Sequence, residues 1–188
     1  MERTREYSDE PSGPFPKPPG SFEDGDGRTI DLRAPGEVDD EVLENLVGMY
    51  DAFDPVDRAQ GIPPTGEERI RNWLESIVDI GVNVIASHDG DAVGHATLVP
   101  DADDPADVDD PADIEWELAI FVLQDYQRAG IGTQLLEHLL GHASDVGIGR
   151  VWLTVERWNG PAIALYERVG FDQTGSESFE QEMTIRLE

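Results

Sequence analysis

The stretch Phe121-Val-Leu-Gln-Asp-Tyr-Gln-Arg-Ala-Gly-Ile-Gly-Thr133 decides the fold. A strand, Ile114 to Leu123, runs into a loop with two glycines and directly into a helix. In the strand, Ile114, Trp116, Leu118, Ile120 and Val122 point one way, and Glu115, Glu117, Ala119 and Phe121 the other. The helix, expected over about Ile131 to Ser144, turns Leu135, Leu136, Leu139, Leu140 and Ala143 to the core. The first N–H groups of a helix lack intrahelical partners and carry partial positive charge, so such a turn can hold a phosphate. Gly130 and Gly132 have no Cβ, which lets a ligand reach the backbone, and Thr133 adds a hydroxyl. Neither the Walker A pattern nor the dinucleotide fingerprint is present. A loop of this kind also serves as a plain strand-to-helix turn that needs glycine for its geometry.

Upstream, Val82–Ser87 and Ala92–Val99 read as a hairpin around the tight turn His88-Asp89-Gly90-Asp91. Two helices precede it. One carries the stripe Val42, Leu43, Leu46, Val47 and Tyr50, with Asp39 and Asp40 near its start. The other carries Ile70, Trp73, Leu74 and Ile77 behind a Thr65/Glu68 capping box. Thr29–Arg33 reads as the first strand. Downstream, Val151–Val155 is a buried-type strand, Pro161–Val169 a short helix stopped by Gly170, and Phe179–Leu187 a last strand. The order β-α-α-β-β-β-α-β-α-β mixes parallel and antiparallel connections, which predicts one α/β (α+β) domain over residues 28–188. Residues 1–27 carry Pro11, Pro14, Pro16, Pro18 and Pro19 and are expected to form a flexible, acidic tail. The seven aspartates of residues 101–113 read as a solvated loop; they lack the EF-hand spacing, so no metal site is expected.

Composition narrows the function. Over 188 residues, 13 basic side chains face 41 acidic ones, for a formal charge of −28, and Lys17 is the sole lysine. Nucleic-acid binding relies on basic contacts to phosphate, and an anionic membrane surface would repel this chain. There is no cysteine, hence no disulfide. No window is apolar enough to span a bilayer, and the N-terminus lacks a secretory leader pattern, so a cytoplasmic protein is expected. Hydrophobic content of 38% and four tryptophans argue for a folded body. The acidity therefore reads as adaptation to high salt, where surface repulsion is screened, and so as a halophilic source.

Gln127, Gly130 and Gly132 match the pattern Gln/Arg-x-x-Gly-x-Gly/Ala. Asn159, Ala162, Leu165, Tyr166, Gly170 and Phe171 match N-x-x-A-x-x-L-Y-x-x-x-G-F. With these two motifs at this separation the chain resembles the GCN5-related N-acetyltransferase (GNAT) superfamily, most densely over residues 114–173. The resemblance implies a mixed central sheet of six to seven strands, flanked by about four helices, in which the fourth and fifth strands splay. It implies acetyl-coenzyme A as cosubstrate and no metal. The pantetheine arm would run along the backbone of Phe121, Val122 and Leu123. The pyrophosphate would sit on the turn Gln127, Arg128, Ala129, Gly130, Ile131, Gly132 and Thr133. Asn159 would bond the coenzyme arm or cap the last helix.

The implied reaction is direct attack of a primary amine, on a small molecule or a protein, on the thioester in a ternary complex. Tyr166 is then the candidate acid and Glu117 the candidate base, with Glu115 or water as alternatives. The acceptor roof would be Tyr50 to Pro64, including Phe53, Asp54, Asp57 and Arg58; dimers are common in the family. The alternative is a coenzyme-binding regulator or interaction protein without catalysis. Of the histidines, His138 and His142 read as surface residues. His95 reads as structural, with reach to the acceptor cleft as the other option.

Overall fold

Two neighbouring strands, β5 (Glu115–Val122) and β6 (Arg150–Glu156), run parallel but pair only at Trp116–Val151 and Glu117–Trp152 before they part. This divergence comes from a computed structural model that describes residues 4–57, 63–177 and 179–188. The other strands are β1 (Gly20–Glu23), β2 (Thr29–Arg33), β3 (Val82–His88), β4 (Asp91–Asp101), β7 (Asp172–Glu177) and β8 (Glu180–Arg186). The helices are α1 (Asp40–Asp51), α2 (Glu67–Val78), α3 (Ile131–Asp145) and α4 (Gly160–Val169). The sheet has eight strands in the order β1-β2-β3-β4-β5-β6-β8-β7. Six or seven were expected; the additions are β1, which lies inside the expected tail, and the polar edge strand β7.

Helices cover both faces. Leu135, Leu136, Leu139 and Leu140 of α3 pack on Val84, Ala86, Leu98 and Leu118. Leu46 and Tyr50 of α1 and Ile70 and Leu74 of α2 pack on the opposite face with Ile85 and Ala92. The split follows strand alternation: Val84 and Ala86 point to one core and Ile85 to the other. Fully burying each such side chain stabilises the fold by roughly 1.5–3 kcal/mol.

Local signals act as expected at α1, where Asp39 accepts the Val42 N–H at 2.9 Å. The turn between β3 and β4 has positive φ at both Asp89 (51°) and Gly90 (88°), the form that matches strand twist. The Thr65/Glu68 capping box does not form. Gly66 is the residue before α2, one place later than that pattern requires, and no side chain caps the helix. In the aspartate-rich loop, Asp104 and Asp110 each accept an N–H of a short 3₁₀ turn, from Ala106 and Ala112. Among the described residues no helix is long and apolar enough to cross a membrane.

Residues 4–27, expected as a flexible tail, are instead laid on the body as an arm. Ser12 N–H donates to Arg186 O at 2.8 Å, Pro16 lies over Gly141 of α3, and β1 pairs antiparallel with β2. Because β1 covers α3, His138 is buried against Gly20 rather than exposed, with Nδ1 2.7 Å from Gln134 O.

Candidate active site

The turn after β5 is held from several sides. Leu123 N–H donates to Val93 O at 2.9 Å, on the β4 side. By alternation Val122 directs its backbone to the other side, where β6 has diverged, and Gln127 Nε2 donates to Val122 O at 3.0 Å. Of the three strand residues expected along a pantetheine arm, Leu123 has thus already committed its N–H. Gln127 acts partly as a brace, its own N–H donating to Gln124 O. Arg128 (φ 61°) and Gly130 (φ 88°) turn the chain into α3, which starts at Ile131 with no side-chain cap. The N–H groups of its first turn, including Ile131, Gly132 and Thr133, therefore lack intrahelical partners and make a cradle of donors at the start of α3. No heavy atom lies within 4 Å of a Cβ built on Gly130, so the turn is open there.

The turn between β1 and β2 supports this loop from outside, which the sequence did not signal. Gly25 N–H donates to Ala129 O at 2.9 Å. Arg28 donates to Asp125 O, and its guanidinium lies 4.0 Å from the centre of the Tyr126 ring. Asp24 is buried and accepts from Arg28 Nε and from the N–H groups of Asp26 and Arg28. Burial alone would raise its pKa; these hydrogen bonds outweigh that and hold it below the usual carboxylate value.

Glu117 stands at the last β5–β6 pair, so it marks the point where the gap opens. Its pKa is raised, first by partial desolvation, then by Asp101 and Glu180, with Arg5 opposing. Glu115 lies two residues away on the same face but is engaged by Arg5 at 2.8 Å. Tyr166 sits on α4, beside the α3 core, with its ring edge-on to Phe171 at 5.7 Å. Burial pushes its hydroxyl up to about 12, so it holds its proton at neutral pH. Leu165, its neighbour, lies 3.5 Å from a Cβ built on Gly132, which brings α4 against the cradle. Glu117 thus belongs to the face of the sheet opposite to the α3-side core, against which Tyr166 packs. Asn159 caps α4, its Oδ1 accepting the Ala162 N–H at 3.3 Å.

The expected roof divides. Tyr50 and Phe53 are buried in an aromatic group with Trp73 and Phe121, whereas Asp54 stands outside it. Gln124 clamps the end of α1 to the cradle, accepting from Asp54 N–H and donating to Ala52 O. Arg58 lies outside the described residues. His95 is fully buried, 2.6 Å from Tyr50 Oη and 2.9 Å from Asn83 Oδ1, which assigns it to the core; burial lowers its pKa to about 4.

Sequence reasoning also passed over Arg5, Trp152 and Glu182, which meet on the Glu117 face. The Arg5 guanidinium lies 3.5 Å from the Trp152 ring centre and bonds Glu115, Asp101 and Glu182. Those contacts join positions up to 177 apart, beyond any local spacing.

Comparison with known proteins gives the same picture. The model of the acetyltransferase (GNAT) family matches residues 46–171, more than half of the chain. The ribosomal protein bS18-alanine N-acetyltransferase of Escherichia coli is 48% identical over 54 residues, 29% of this chain and 36% of that protein. The chain thus spans about a third of the length of the first curated relatives it matches. The GNAT domain of S. lividans PAT superposes with a TM-score of 0.73 at 21% identity, covering 89% of this chain and 96% of that one. A ribosomal L7/L12 α-N-protein acetyltransferase in complex with coenzyme A gives 0.66 at 15% identity, covering 84% and 94%. At those identities the structures report fold alone. With the family model spanning the splayed strands, the cradle and Tyr166, the chain belongs to the GNAT acetyltransferase family.

Proposed function

We propose that the protein is an N-acetyltransferase that moves an acetyl group from acetyl-coenzyme A to an amine of a protein or peptide. The observation that carries this reading is the gap opening at Glu117–Trp152, with the cradle and Tyr166 on one face and Glu117 on the other. The residues present suit the coenzyme: an uncapped helix start offers N–H donors to a pyrophosphate, and Val122 directs its backbone into the gap. Acetyl-coenzyme A supplies an activated acetyl thioester when bound. An alkylammonium has a pKa of about 10.4 and must lose a proton before it attacks. Glu117 accepts that proton directly or through water. Tyr166 keeps its phenolic proton at neutral pH and delivers it to the departing sulfur, whose pKa is about 8.5 by analogy with cysteine. Asn159 and Gln127 hold α4 and the cradle in place. The name of the bS18-alanine N-acetyltransferase relative, which acts on a ribosomal protein, supports a protein acceptor here.

We also read the −28 charge as adaptation to a salt-rich cytoplasm in a halophilic organism. Calorimetric titration with acetyl-coenzyme A in molar potassium chloride should show saturable binding. Release of free thiol should then follow with peptides bearing an N-terminal alanine or a lysine. Folded protein that binds no acetyl-coenzyme A refutes the proposal. Binding without turnover on such a panel supports the non-catalytic alternative.

A further inference from the structure

The N-terminal arm occupies a groove on the acceptor face. Trp152 is the cross-strand neighbour of Glu117 at the last pair before the strands part, so both side chains stand on one face at the mouth of the gap. The arm crosses this place. The Arg5 guanidinium carbon lies 3.5 Å from the Trp152 ring centre, and the group donates to Glu115 at 2.8 Å, Asp101 at 3.1 Å and Glu182 at 3.3 Å; its side chain is only 13% exposed. Aromatic face and carboxylates together form the environment that holds a cationic side chain.

A second set of contacts is independent of charge. Thr184 Oγ1 donates to Glu6 O at 2.8 Å, and Arg186 Nη1 donates to Asp9 O at 2.9 Å. The groove therefore reads main-chain carbonyls as well as a cation, and such donors serve any extended peptide. Beside the arm, a cavity of about 290 Å³ lies between Thr4, Thr154, Gly175 and Glu182. Arg5 itself is no acceptor: a guanidinium keeps its proton at every physiological pH and has no free amine to attack with.

We propose that residues 4–9 are an intramolecular competitor for the acceptor, with Arg5 standing where the cationic side chain of a basic peptide acceptor docks. The arm must lift before such a peptide binds. This rests on the acetyltransferase reading above, but its test does not use acetyl-coenzyme A, so the two fail separately.

The probe is a fluorescein-labelled hexapeptide, Thr-Arg-Ala-Ala-Ser-Ala, read by fluorescence anisotropy, with a counterpart carrying Gln for Arg. Against full-length Arg5→Ala the Arg peptide should bind at least tenfold more tightly than against the unmutated protein. Arg5→Lys should stay near the unmutated protein, and Glu182→Gln added to Arg5→Ala should remove most of the gain. The Gln peptide should gain nothing. Equal affinity for Arg5→Ala and the unmutated protein, or a gain shared by the Gln peptide, overturns the proposal. Should Arg5→Ala fail to fold by thermal melting, the unmutated protein decides. Saturating Arg peptide should speed hydrogen exchange at Ser12 N–H, which the docked arm holds; unchanged exchange overturns the proposal.

Discussion

His95 carries its proton on Nε2, because Asn83 donates its amide N–H groups to Val78 O and Gly81 O and so turns Oδ1 to the ring. Nδ1 is then the acceptor for the Tyr50 hydroxyl. With a folded pKa of about 4 against an ordinary 6.5, the unfolded chain takes up this proton first as pH falls. The stability held by the neutral ring is complete above pH 6.5 and is lost as pH drops towards 4. Between pH 7 and 5 the unmutated protein should lose about 2 kcal/mol more than His95→Gln, measured by urea unfolding. At Tyr166, replacement by Phe keeps the ring and removes the proton. It should lower kcat by about 100-fold with the KM for acetyl-coenzyme A within about twofold. Glu117→Gln should cost about as much and abolish the acid limb of the pH–rate profile. That limb should lie above the ordinary carboxylate range, since the Glu117 pKa is raised. An unchanged profile would pass the role to water or Glu115.

Elements differ in how openly their sequence announces them. α1, α3 and β5 were legible because each buries one face against a core and so repeats its apolar residues at the element's own period. β1 is four residues long and follows a run of prolines, and β7 is polar along its length as a sheet edge, so neither presents a period to read. The turn into α3 and the stop of α4 were legible for a different reason: glycine at a positive φ, as at Gly130 and Gly170, is a local requirement, whereas Tyr166 was singled out only by the family resemblance of its motif. The arm's anchors were not, since Arg5, Thr184 and Arg186 meet only after the whole sheet is assembled. Two helical glycines separate local from tertiary effects. A Cβ at Gly48 in α1 meets nothing within 4 Å, so Gly48→Ala should stabilise by up to about 1 kcal/mol. A Cβ at Gly141 in α3 would collide with the backbone of Pro16, so Gly141→Ala should instead destabilise by about 1–3 kcal/mol as the arm is forced off. Paired thermal melts should show opposite signs.

For the molecule as a whole, net charge sets the solvent. At −28 the native state repels itself at low salt, and at 1 M ionic strength the screening length falls to about 3 Å. The melting temperature should rise by roughly 5 °C or more between 0.1 and 2 M potassium chloride; a falling value would show that ion pairs such as Arg5–Glu115 outweigh the repulsion. The arm also fixes an order of assembly. Its anchors Thr184 and Arg186 belong to β8, which is synthesised after every other described strand. While the ribosome is still making residues 13–180, the nascent segment 4–12 lacks the main-chain anchors that Thr184 and Arg186 supply. The groove beside Glu117 is thus completed and covered in one late step, as β8 leaves the exit tunnel.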